Sequence, residues 1–161
     1  MKKVILTICI GIISIVLVGC DNNNKEVISK EKIHEHCTRN GIVENGSALL
    51  SYEIYYTGDV LNLLEAIEEV SSSNSDLLDQ YENAYKEIHK HYEGLNYYVT
   101  SVVRKDDRVT STIRIDYDKI DINKLIEIEG EEDNIFEEKI PKASKWKELA
   151  KKVGTKCEIV S

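Results

Sequence analysis

The chain has 161 residues and sets 21 Lys and Arg against 29 Asp and Glu, a formal net charge of −8, with four Cys and a single Pro. That acidic balance argues against a nucleic-acid partner and against direct electrostatic attraction to anionic lipid. A chain of this length needs one hydrophobic core, so one folded domain is expected.

The chain opens with Met1-Lys2-Lys3 and runs apolar from Val4 to Val18, broken by Thr7, Gly11 and Ser14. About fifteen apolar residues behind a basic head is the length of a secretory signal peptide, whereas a spanning helix needs roughly twenty. The run stops at Leu17-Val18-Gly19-Cys20 and passes straight into Asp21 and three asparagines. "LVGC" resembles the lipobox of bacterial lipoproteins, with an aliphatic residue three before the Cys and a small residue just before it. The resemblance implies removal of residues 1–19, diacylglycerol on the Cys20 thiol, and Cys20 as the new N-terminus. An uncleaved anchor, or a soluble export signal with an incidental Cys20, explains fewer of these features. Two or three acyl chains hold a protein on a bilayer where one anchors only marginally. Residues 20–31, too polar to bury themselves, then read as the lipidated Cys and a flexible tether, and 32–161 as the domain. The expected location is the cell membrane, on its extracytoplasmic side.

The cysteines follow from this. Cys9 leaves with the signal and Cys20 is lipidated, so Cys37 and Cys157 remain. Outside the cytoplasm such a pair is most simply a disulfide, here closing a loop of about 120 residues worth about 4–5 kcal/mol in the chain-entropy model. A redox pair or a metal site would bring the C-x-x-C proximity that this pair lacks.

"KIHEHCTR" (32–39) alternates as a strand, with Ile33, Glu35 and Cys37 on one face and His34 and His36 on the other. "NGIVENG" (40–46) carries two Asn-Gly turn signals, and "SALLSYEIYYTG" (47–58) supplies a second strand with Leu50, Tyr52, Ile54 and Tyr56 on one face. In 58–70 the two signals conflict: Val60, Leu63, Leu64, Ile67 and Val70 fit a helical stripe, while Thr57-Gly58-Asp59 is a tight turn returning a third strand. A helix capped by Ser75 follows, with Leu77, Leu78, Tyr81, Tyr85, Ile88 and Tyr92 as its stripe and Gly94 as its stop. Residues 95–105 and 108–118 read as a half-buried antiparallel hairpin. Residues 122–141 are acidic and irregular, a short helix or strand plus a loop. The last helix, 144–154, carries Trp146, Leu149, Ala150 and Val153. The order strands, helix, strands, helix with hairpin joins gives an α+β fold: an antiparallel sheet with two helices packed on one face.

Beyond the lipobox, "YYTGDV" (55–60), "YEGLNYYV" (92–99) and "RIDYDKIDINKL" (114–125), in this order and followed by a final helix and strand, resemble the YehR-like family of small bacterial lipoproteins. The resemblance implies an α+β domain in which 59–71 continues the sheet, so strand is taken over helix there. It implies no activity, cofactor or catalytic residue, and the cysteine pair rests on the arithmetic above.

The residues themselves specify no reaction. There is no Gly-rich phosphate loop, no H-E-x-x-H and no nucleophile elbow. His34 and His36 point the same way on a strand and suit a shared metal, given a third ligand from elsewhere. His89 and His91 diverge by about 200° on a helix and do not chelate together; the plainer expectation leaves all four histidines solvated. Asp116 and Asp118, about 7 Å apart on one strand face, have the spacing of a carboxylate pair used in glycoside hydrolysis, though such pairs are more often solvated. "EGEED" (129–133) lacks the ligand spacing of a calcium loop. The nine tyrosines outnumber one Phe and one Trp, and in the adjacent pairs Tyr55-Tyr56 and Tyr97-Tyr98 one member of each must leave the core face. Tyr55 and Tyr98 are the expected outward members, forming an amphipathic patch for an envelope protein or glycan. The expected function is a membrane-anchored, non-enzymatic binding module without a cofactor. A metal-binding lipoprotein using His34 and His36 comes second, and a hydrolase built on Asp116 and Asp118 third.

Overall fold

The computed structural model describes residues 31–129 and 135–160. The expected signal peptide, Cys20, all but the last residue of the tether and most of the acidic run 129–133 lie outside them. Three long strands come first: β1 (Lys32–Val43), β2 (Gly46–Thr57) and β3 (Val60–Ser72). The chain reverses where a left-handed backbone is tolerated, at Asn45 (φ 54°) and Gly58 (φ 62°). Gly46 is fixed by space, since a Cβ there would stand 1.8 Å from the Ser71 carbonyl oxygen. Only the second Asn-Gly turns the chain; Asn40 and Gly41 stay inside β1, opposite Leu49 and Ala48.

β3 resolves the conflict over 58–70 in favour of strand. Leu61 pairs with Tyr56 and Leu63 with Tyr55, so Asn62 is an extra residue in a bulge. The bulge shifts the alternation, and Leu61 and Leu64, three apart, both reach the core. Leu63 and Ile67 belong to the other face, where Ile67 is 50% exposed. Apolar residues on both faces of a bulged strand thus imitate a helical stripe.

Helix α1 (Ser75–Lys90) begins one residue after its cap: the Leu77 amide donates to the Asn74 side chain at 3.2 Å, so Asn74 and not Ser75 caps it. It lies against β3 and the hairpin β4 (Tyr98–Lys105) and β5 (Arg108–Asp116), burying Leu77, Leu78, Tyr85 and His89. A single 3-10 turn (Tyr117–Lys119), helix α2 (Ile122–Glu129) and the two-residue strands β6 (Phe136–Glu137) and β7 (Ile140–Pro141) follow. Helix α3 (Ala143–Lys152) and strand β8 (Lys156–Ile159) complete the domain. Nothing from Lys142, the cap residue, caps α3 through its side chain; Asp59 in the distant β2–β3 turn instead accepts from the Ser144 amide (2.8 Å) and hydroxyl (2.9 Å).

The sheet order is β4-β5-β3-β2-β1-β8, antiparallel throughout. It is an α+β fold in which the two expected helices are joined by α2, whose Leu125 enters the same core as Ile54, Leu61, Leu64 and Phe136. A second cluster, Val70, Leu78, Tyr85 and Val109, lies under α1. Cys37 and Cys157 face each other across β1 and β8 with their sulfurs at disulfide distance, 2.12 Å.

Candidate functional site

All the helices pack on one side of the sheet, and among the described residues no element covers the other. On that open side one row of residues crosses all six strands: Glu158, His36, Glu53, Glu65, Arg114 and Val99. The next row begins with His34 and Tyr55. These positions follow from strand alternation, since Glu35, Cys37, Ile54 and Leu64 between them point into the core.

Glu53 joins the two histidines. The His34 Nε2–H donates to Glu53 Oε2 and the His36 Nδ1–H to Oε1, each at 2.6 Å. An ionised carboxylate only accepts, so the contact sets the tautomer of both rings when they are neutral. Partial burial on its own pushes the Glu53 carboxyl up, but the hydrogen bonds and charge of the two imidazoles outweigh it and hold the group below its ordinary 4.5. Tyr55 stacks on the His34 ring, centroids 4.2 Å apart and planes 12° from parallel. Burial, with the charges of Glu65 and Glu53 behind it, pushes the Tyr55 hydroxyl up. Arg114 pairs with Glu65. Beside this polar cluster a shallow depression is lined by Ser51, Glu53, Glu65, Ile67, Thr112 and Arg114.

The other expected site residues lie elsewhere. Tyr98 is not an outward residue: it pairs with Ile115, shares the covered face and stacks on Tyr92 at 4.1 Å. The reason is that Tyr97 lies ahead of β4 in a turn, buried with its hydroxyl donating to the Asp121 carbonyl, so Tyr98 takes the inward position of the first strand pair. The Asp116 and Asp118 pair also dissolves. β5 ends at Asp116, which binds Lys119 at 2.6 Å, whereas Asp118 sits in the 3-10 turn and accepts from Asn62. His89 is not solvated; it is buried between α1 and the sheet, 3.1 Å from the Ser111 hydroxyl. His91, the C-cap of α1, is exposed.

Two groups that share Glu35 lie on the covered face. Glu35, 6% exposed, accepts from Lys147 Nζ at 2.9 Å and from the Tyr56 hydroxyl. Burial would lower the Lys147 ammonium, but hydrogen bonds to Glu35 and Tyr56 outweigh it and raise it. In this ion pair the carboxylate is buried, while the Lys147 side chain is 34% exposed. Glu35 also stands with Cys37 and Cys157 in a group whose ligand atoms lie within 4.8 Å of one another, yet sulfurs bonded to each other offer no thiolate to a metal.

No protein-family model and no curated sequence matches the chain. Solved structures do. The NMR structure of the E. coli YehR protein superposes with a TM-score of 0.57 at 14% identity, covering 83% of this chain and 94% of that one. The fold is the YehR fold. A protein from Streptococcus pneumoniae TIGR4 carries it too, with a TM-score of 0.52 at 13% identity over 91% of this chain and 94% of that one. The resemblance seen in the residues is therefore borne out in the architecture, including β3 as a strand of the sheet. At such identities the YehR fold brings no site residue with it.

Proposed function

We propose that this chain is a lipid-anchored bacterial lipoprotein of the extracytoplasmic face of the cell membrane, and that it works as a non-enzymatic binding module. The anchor reading rests on Leu17-Val18-Gly19-Cys20 at the end of a short apolar run behind Lys2 and Lys3. The Cys37–Cys157 pairing suits an oxidising compartment and supports it. The binding surface is the open side of the sheet, where the partner is a protein or glycan of the envelope.

One observation carries that choice. The open side holds apolar side chains that the fold leaves in solvent, Ile67 (50% exposed), Val99 (61%) and Val103 (49%); Val99 shares the row of Glu53, while Ile67 and Val103 lie in the next two rows. Apolar groups rimmed by polar ones are how binding faces are built. The catalytic alternative has lost its motive, because Asp116 and Asp118 are held by separate side-chain partners, Lys119 and Asn62.

The test uses intact cells. A photo-crosslinking residue at Ile67 or Val99 is expected to capture a discrete partner that the same residue at exposed Lys86 on α1 does not capture. Equal capture from both positions overturns the surface assignment. Mass spectrometry of the native product reads the anchor separately: an unmodified full-length polypeptide overturns it.

A further inference from the structure

We propose that His34, His36 and Glu53 form a site for a divalent transition-metal ion such as zinc, nickel or copper, on the open side of the sheet. The inference is independent of the lipid anchor and of any partner.

The register supplies the donor set. His34 and His36 alternate on β1 and so project from the same side, and Glu53 on β2 is the direct cross-strand partner of His36. The Glu53 carboxylate touches both rings, at 2.6 Å each. Two imidazoles and a carboxylate are a recurrent three-protein-ligand set for zinc, with the remaining position left to water. Imidazole ligation also selects against magnesium and calcium, which take oxygen donors.

The surroundings fit a cation. Glu158 stands beside His36 and Glu65 beside Glu53 in the same row, so carboxylates flank the site on both sides. Arg114 pairs with Glu65, and Lys32 lies 5.5 Å from the ring of Tyr55.

As they stand, the two rings are clamped on opposite oxygens of Glu53 and do not converge on one point. Closing the site takes side-chain rotation, for which there is room. The side chains of His34, Glu53 and His36 are 30%, 34% and 43% exposed, on a surface that no described element covers. Each ring then gives a nitrogen lone pair to the metal and carries its proton on the other nitrogen. A ring that starts protonated releases one proton, so binding weakens in acid.

The test titrates the full-length protein with zinc chloride, following affinity by calorimetry and the imidazole nitrogen signals by NMR. The expected result is one saturable site that shifts the His34 and His36 signals. His34→Asn, His36→Asn and Glu53→Gln each weaken it at least about tenfold, while His91→Asn and a calcium titration change nothing. Amide spectra check that each variant is folded. Glu53→Gln, nearly isosteric, serves if a histidine variant is not. No saturable binding, or binding indifferent to His34→Asn and His36→Asn in folded protein, overturns the proposal.

Discussion

The two sides of this sheet use the same residue types in opposite ways. On the covered side Glu35, Glu68 and His89 are buried, each locked to a specific partner or layer, and their chemistry is spent inside the fold. On the open side His34, His36 and Glu53 make an equally close cluster, yet all three remain partly in solvent. Identity and proximity of titratable groups therefore do not mark a functional site by themselves. Exposure separates the internal braces from the groups free to meet something else.

The comparison breaks most visibly at the bonded cysteines, since Cys37 is fully buried on the covered side. Reduction, or Cys37→Ala with Cys157→Ala, is expected to cost up to about 4–5 kcal/mol, read from urea unfolding with and without reductant. Ile54→Ala comes next. It empties a fully buried position at the centre of the core and should cost about 2–5 kcal/mol, whereas Ile67→Ala on the open side should stay within about 0.5 kcal/mol. Lys147→Met leaves the Glu35 carboxylate with Tyr56 but without its counter-ion, an expected loss of about 1–3 kcal/mol.

Acid acts with opposite signs on two buried groups of the covered side. Burial holds His89 below its ordinary 6.5, so its contribution is in place above that pH and is lost as pH falls through the lowered folded value. Glu68 runs the other way. Burial raises it above 4.5 against the opposing effects of Tyr85 and Arg39, so its contribution is present below 4.5 and is lost as pH rises through the raised folded value. Thermal midpoints across pH should show His89→Asn losing less stability than the parent as pH falls below 6.5, and Glu68→Gln gaining over it as pH rises above 4.5. The smallest effect belongs to Glu53→Gln, expected within about 1 kcal/mol because its ion pairs are half-exposed.

The sequence made the sheet legible because alternation in 32–39 and 47–58 is clean and the sharp turns carry Asn45 and Gly58. Three features escaped it for physical reasons. The Asn62 bulge gives β3 a spacing that no single period describes, so the Thr57-Gly58-Asp59 turn and the YehR resemblance pointed to strand against the local periodicity. The cap of α3 comes from Asp59, 85 residues away, which local pattern does not show. Tyr98 was misplaced because alternation was carried back into a turn, one residue ahead of where the strand begins. The candidate site was half visible. The i, i+2 spacing of His34 and His36 is a local signal, while Glu53 becomes their partner only through the β1–β2 register. Counting back from the Glu44–Asn45 turn would have paired His36 with Glu53.

The covalent link between the first strand and the last also makes the domain a closed ring, because 120 positions separate Cys37 from Cys157. Pulled from its two ends in an optical trap, the oxidised protein should lengthen only through the few residues outside that ring. Adding reductant should then release roughly 400 Å of hidden contour in one step, so mechanical load on this molecule is gated by a single chemical bond.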